Sequence, residues 1–167
     1  MKILAISGHS GCGKTTLITR LIPALKAAGL SVAVIKHTHH DVEWDAPGKD
    51  SYRHREAGAR QVMLVTPSMR FSAEPLVEAD AVPLIAHVAA LSPCDLVLAE
   101  GFKHEAVPRL EVFDAALNRP WLYPDDPRVI ALVSDTAPQA ALPCFARDAI
   151  DDIVRFLLDW FHHAKLS

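Results

Sequence analysis

The octapeptide Gly8-His9-Ser10-Gly11-Cys12-Gly13-Lys14-Thr15 carries the strongest chemical signal in this chain. Its spacing, G-x-x-x-x-G-K-[ST], is that of a phosphate-binding P-loop. Glycines let the backbone wrap an anion with its N–H groups pointing inward, and a helix beginning at the lysine adds its positive end. Lys14 supplies a point charge to the outer phosphates, and the Thr15 hydroxyl is a ligand for Mg²⁺. A plain glycine turn is the alternative. Three of the seven glycines fall between positions 8 and 13, which favours the phosphate reading.

Such sites need a second acidic element for the metal. Glu100, closing the apolar run Leu96-Val97-Leu98-Ala99, fits that place; Asp95 precedes the run and competes less well. Asp41, Glu43, Asp45 and Asp50 offer further metal or water-positioning carboxylates. Lys14, Asp45 and Glu100 are the candidates for any catalytic role, and Thr15, Glu100 and Asp45 for metal ligation. His37, His39 and His40 follow Lys36 as a dense imidazole cluster. They suit hydrogen bonds to a triphosphate better than a transition-metal site. Lys49, Arg53, Arg55 and Arg60 form either a second anion patch or a solvated face.

Recognition of a guanine base normally needs a carboxylate for its N1 and N2 donors. No N-K-x-D sequence is present; Asp135, after an apolar run, is the candidate, with a simple strand-end cap as the alternative. No glutamine stands directly after Glu100 to orient water, so intrinsic hydrolysis is expected to be slow.

The elements that must position these residues follow from periodicity. Lys2 to Ser7 reads as a buried central strand. Leu17, Ile18, Leu21, Ile22 and Leu25 recur at helical spacing from Thr15, and Gly29 is placed to end that helix. Ser31 to Lys36 is a second strand, completing a βαβ unit. A loop over residues 37–49 leads to a short helix capped by Asp50 and running through Ala57. Residues 60–66 read as a strand and 69–73 as an edge. A helix from Asp80 to Leu91 precedes a strand over 94–99; 109–113 and 129–134 are further strands. Asp148 caps a last helix with the apolar face Ile150, Ile153, Val154, Phe156, Leu157, Trp160 and Phe161. Alternating strands and helices predict an α/β protein: a three-layer α/β/α P-loop NTPase fold with a mostly parallel central sheet, residues 1–167 forming one nucleotide-binding domain.

The bulk composition sets limits on partners. Lys and Arg number 17 against 20 Asp and Glu, a net charge of −3, so no general attraction to nucleic acid or an anionic membrane is expected. No apolar run reaches the ~18 to 20 residues of a spanning helix. Met1 and Lys2 lead straight into the first strand, so no signal peptide is expected and the cytoplasm is the expected location. Cys12, Cys94 and Cys144 are odd in number and widely spaced, which predicts reduced thiols, with Cys12 a small filler and a reactive loop thiol the alternative.

The combined segments GHSGCGKTTL, KHTHHD, DAPGKDSYRHREAGA and DLVLAEGFK resemble the MobB family, molybdopterin-guanine dinucleotide biosynthesis protein B, over roughly residues 2–135. The P-loop is common to many families, whereas KHTHH, PGKDS and EGFK are far more specific. The resemblance implies a homodimeric GTP-binding adaptor with weak GTPase activity, using GTP and Mg²⁺ and assisting the guanylyltransferase of its pathway. It also implies that Gly11, Gly13, Lys14, Thr15 and Thr16 bind phosphates and Mg²⁺, with His37, Asp45, Lys49, Asp50 and Glu100 facing them. Two other readings stay open: a metal-inserting maturation GTPase, to which the histidines point, and a small-molecule kinase holding an acceptor on the basic residues of 49–60.

Overall fold

The computed structural model describes residues 1–38, 40, 42, 45–76, 82–139 and 141–163. The chain divides into two compact units, one formed by Met1–His37 with Pro83–Ser167 and the other by Thr38–Val82.

The larger unit is built on a six-stranded parallel sheet. Its strands are β1 (Lys2–Ser7), β2 (Val32–Lys36), β5 (Leu96–Glu100), β6 (Arg109–Val112), β7 (Val129–Val133) and β8 (Cys144–Phe145), in the order β2-β5-β1-β6-β7-β8. The first strand is central, as its continuous apolar run predicts: Leu4, Ala5 and Ile6 are buried between β5 and β6. On one face lie α1 (Lys14–Ala27) and α4 (Ile150–His163), which share a core of Leu17, Leu21, Leu25, Ile153 and Leu157 with Leu4, Leu98 and Ala131. On the other face, Leu84 and Val88 of α3 (Leu84–Ala89) pack on Val97 and Ala99. The three-layer α/β/α architecture is thus present.

Several boundaries differ from the sequence reading for local reasons. The strand expected over 94–99 begins at Leu96, because Asp95 instead accepts hydrogen bonds from Ser31 N at 2.8 Å and Ser31 Oγ at 2.5 Å, anchoring the turn into β2. The helix expected from Asp80 begins at Leu84, whose amide donates to Glu105 Oε1 at 2.9 Å; Asp80 itself lies outside the described residues. β8 was not anticipated; at two residues it is too short for a periodic signal. No helix among the described residues is long and apolar enough to cross a membrane.

The smaller unit contains α2 (Asp50–Glu56) and an antiparallel hairpin of β3 (Val62–Val65) and β4 (Arg70–Ala73). Residues expected at a sheet edge therefore pair with β3 in a sheet of their own, around a turn in which Thr66 N donates to Met69 O. Lys49, not Asp50, takes the cap position of α2. Asp50 lies in the first turn, where its charge favours the positive end of the helix.

Candidate functional site

The strand register explains why residues far apart in sequence meet. Lys36 of β2 is level with Glu100 of β5, and Glu100 with Ile6 of β1, so the ends of three strands bring a lysine and a glutamate beside the loop that leaves β1. On the other side of β1, Ser7 is level with Glu111 of β6. In parallel sheets of this kind ligands bind at the carboxyl ends of the strands, and this is such an end.

Gly8, Gly11 and Gly13 all have positive φ, at 135°, 82° and 96°. Gly8 is also a point of close approach: a Cβ there would lie 2.3 Å from the Val112 carbonyl oxygen and 2.7 Å from Cys12 Sγ. Gly13 occupies the N-cap of α1 without any side-chain cap. The first-turn N–H groups of a helix have no intrahelical partners, so this end presents backbone donors and a positive dipole to an anion.

Lys14 lies across the loop, its Nζ donating to the carbonyls of Gly8 at 3.0 Å and His9 at 2.8 Å. His9 Nε2 is 2.9 Å from the Pro120 carbonyl, which can only accept, so that nitrogen carries the proton. Ser10 and Gly11 are exposed, while Cys12 is buried under the loop. Burial pushes the Cys12 thiol above its ordinary pKa despite the nearby Lys14 charge, as a filler residue requires. All three cysteines are unbridged.

Thr15 Oγ1 lies 3.0 Å from Glu100 Oε1 and 3.2 Å from Oε2. Glu100 is buried, and Lys36 Nζ approaches its Oε1 at 3.5 Å. A hydroxyl and a carboxylate beside a glycine loop form an all-oxygen donor pair, which suits a hard divalent cation such as Mg²⁺. The structure therefore brings Lys14, Thr15 and Glu100 together. His37 joins them through its backbone, its N–H bonding to the Glu100 carbonyl at 2.8 Å, and its ring lies against Phe102 with centroids 5.3 Å apart.

Asp45 and Lys49 belong to the smaller unit. There Asp45 Oδ1 accepts from Ser51 Oγ at 2.9 Å, and Lys49 caps α2. Of the basic group, Arg55 stands over the Tyr52 ring and Arg60 lies 3.8 Å from Glu74. His39, Asp41 and Glu43 lie outside the described residues. Among the described residues no three His, Cys, Asp or Glu side chains gather as a metal site.

A second polar group was missed by sequence reading. Asp135 follows β7, as expected, but both its carboxylate oxygens are engaged by Arg147: Oδ1 by the backbone N–H at 3.1 Å and Oδ2 by Nε at 2.8 Å. These bonds hold the Asp135 carboxyl below its ordinary pKa. Arg147 Nη1 reaches Asp114 Oδ2 at 3.1 Å. Thr16, Gly13 and Arg147 line one cavity of about 270 Å³. The available signal was positional: Asp114 and Arg147 each lie just past a strand.

Glu111 was also unmarked by the sequence. It is fully buried, and its two oxygens accept from Leu122 N at 2.7 Å and Tyr123 N at 2.8 Å. Burial nonetheless drives its pKa up. The carboxylate fixes the β6–β7 connection, in which Trp121 stacks on Phe113 with centroids 3.7 Å apart.

Comparison with known proteins extends this geometry. The profile of the family described as MobB, molybdopterin guanine dinucleotide synthesis protein B, matches residues 3–135. The chain is 38% identical over 161 residues to the molybdopterin-guanine dinucleotide biosynthesis adapter protein of Escherichia coli (strain K12), covering 95% of this chain and 92% of that protein. It is 35% identical to the Haemophilus influenzae protein of the same name, covering 96% and 90%. A crystal structure of molybdopterin-guanine biosynthesis protein B superposes with a TM-score of 0.78 at 30% identity, covering 96% of this chain and 99% of that one. The Bacillus subtilis MobB structure, at 22% identity and a TM-score of 0.70, shares the fold. The profile over residues 3–135 agrees with the relatives and the superposition over nearly the whole length, and this chain belongs to the MobB family.

Proposed function

We propose that the loop from Gly8 to Thr15 holds the triphosphate of GTP, and that the chain acts as an adaptor in molybdopterin-guanine dinucleotide synthesis, assisting the guanylyltransferase and hydrolysing GTP slowly. The observation that carries this reading is the approach of Thr15 Oγ1 to Glu100 at 3.0 Å, beside an uncapped helix start and the Lys14 ammonium. Thr15 and Glu100 would hold Mg²⁺, which when bound neutralises charge on the outer phosphates. Lys14 would exchange its bonds to the Gly8 and His9 carbonyls for phosphate oxygens. Lys36 and the backbone of His37 keep Glu100 in place from β2.

Slow turnover follows from what the chain offers near the metal pair. Gly101, Phe102 and Lys103 follow Glu100, so no side-chain amide there orients an attacking water. Asp45 and Lys49, in the shared family segments, contribute to nucleotide binding in the same reading. The protein works as a homodimer: Val65, Met69 and Phe71 of the hairpin are exposed at 69%, 57% and 42%, apolar surface of the kind that association buries. A single functional domain and a cytoplasmic location complete the proposal.

The test is to supply GTP and molybdopterin to the guanylyltransferase with and without this chain, following dinucleotide formation and phosphate release. Stimulated dinucleotide formation with slow phosphate release supports the adaptor. Phosphate transfer to a small molecule by this chain alone, at the ~1 to 100 s⁻¹ usual for kinases, would replace it with the kinase reading.

A further inference from the structure

Arg147 stands where the phosphate loop meets a cavity that extends beyond the phosphate-binding residues Gly13 and Thr16. The cavity of about 270 Å³ opens beside Gly13 and Thr16, and its walls include the aliphatic side chains of Leu17, Val112 and Val133. A Cβ built on Gly13 would lie 4.0 Å from Arg147 Nη1, so the guanidinium is at the rim of the loop itself. The volume falls just under the ~300 to 1,000 Å³ of whole small-molecule sites, which suits part of a nucleotide. Apolar walls fit the faces of a flat base, and polar groups at the rim must read its edge.

The guanidinium is held for that task. Nε is bonded to Asp135 and Nη1 to Asp114, two carboxylates projecting past neighbouring strands β7 and β6. Arg20 Nη1 donates to the Arg147 carbonyl at 3.1 Å, tying the same residue to α1. An arginine has five N–H donors, and these two side-chain bonds use two of them. No hydrogen bond from Nη2 is present among the described residues, so Nη2 and the second N–H of Nη1 remain as a fork. Such a fork matches the O6 and N7 acceptors of guanine, whereas adenine presents an N6 donor where guanine has O6.

We propose that Arg147 selects guanine: its Nη donors read the O6 and N7 edge of a base seated in this cavity, while Asp114 and Asp135 keep the fork aimed. The proposal rests on the reading that a triphosphate occupies the Gly8–Thr15 loop, and it gives Arg147 a role in specificity that phosphate binding does not require. Asp135 then acts partly through Arg147 instead of being committed to the base alone.

The test compares binding of GTP, ITP, 7-deaza-GTP and ATP, each with Mg²⁺, to the unaltered protein, Arg147→Ala and Arg147→Lys. GTP and ITP share O6 and N7, 7-deaza-GTP lacks N7, and ATP lacks O6. Arg147→Ala should weaken GTP and ITP by roughly 5- to 150-fold, the range of one bidentate arginine contact, and ATP by less than about 3-fold. Arg147→Lys keeps the charge, loses the planar fork and should keep most of that loss. The preference of the unaltered protein for GTP over 7-deaza-GTP should vanish in both variants. Equal weakening of all four nucleotides would make Arg147 a structural clamp and overturn the proposal, as would unchanged GTP affinity. If the unaltered protein bound none of them, the phosphate-loop reading would fall as well; GTP binding that depends on Lys14 but not on Arg147 would sink this inference alone.

Discussion

Thr15 and Glu100, 85 residues apart in sequence, meet through a hydroxyl–carboxylate hydrogen bond of 3.0 Å at the ends of α1 and β5. The contact depends on sheet register, because Glu100 is level with Ile6, the penultimate residue of β1. Glu100→Gln removes the charge while keeping nearly the same shape. Mg²⁺ titrated against a fixed GTP concentration should show roughly 10- to 100-fold weaker apparent metal affinity in this variant. GTP binding without Mg²⁺ should change little.

The glycines of the loop are not equivalent. Gly8→Ala places a methyl group 2.3 Å from a backbone oxygen at a φ of 135°, so both strain and overlap oppose it. A loss of about 3 kcal/mol or more is expected in urea unfolding. Gly11→Ala meets only Leu117 Cδ2 at 3.9 Å, so it suffers the left-handed backbone strain of about 1–2 kcal/mol alone.

Arg109 is buried at the start of β6, and Asp126 lies 3.3 Å from its Nη1. Burial presses the Arg109 pKa down and Asp126 draws it back up, leaving the guanidinium charged. Asp126→Asn leaves that charge with backbone carbonyls only, and a cost of about 3 kcal/mol is expected. The side-chain hydrogen bond to Arg128 is the main reason the Asp126 carboxyl sits below its ordinary pKa. A lowered acid stabilises the fold above its unfolded value and loses that contribution as pH falls through the folded one. Acid unfolding below about pH 4 should therefore be less steep in Asp126→Asn than in the unaltered protein.

Glu111 has the opposite sign. Burial raises its pKa, so its contribution is fully present below the unfolded value of about 4 and is lost as pH rises through the folded value. Glu111→Gln cannot ionise. Measured by thermal unfolding, the stability difference between this variant and the unaltered protein should shift in favour of the variant as pH rises from 4 to 7. No such shift would mean that the Leu122 and Tyr123 amides already stabilise the ionised form fully.

Local signals made the centre of this site legible. The glycine spacing located the loop, the helical period of Leu17, Leu21 and Leu25 located α1, and the apolar run before Glu100 located its strand end. Residues whose role depends on strand order escaped, because nothing local marks them. Arg147 follows a two-residue strand, and its partners Asp114 and Asp135 lie 33 and 12 positions away. Glu111 sits in the stretch RLEVF, where strand alternation alone would send it to a polar face; the turn from Leu122 supplies the donors that let it be buried. The hairpin pairing of 62–65 with 70–73 was hidden for a different reason: short strands carry no record of which sheet receives them.

Calorimetric titration of GTP with Mg²⁺ into the unaltered protein and Lys14→Ala decides whether the Gly8–Thr15 backbone and the Lys14 ammonium enclose a triphosphate. Loss of the charged hydrogen bonds from Lys14 should weaken binding by roughly 10- to 100-fold with the fold intact. A folded Lys14→Ala protein that bound GTP as tightly as the unaltered one, with the same Mg²⁺ dependence, would mean that this loop does not hold the nucleotide.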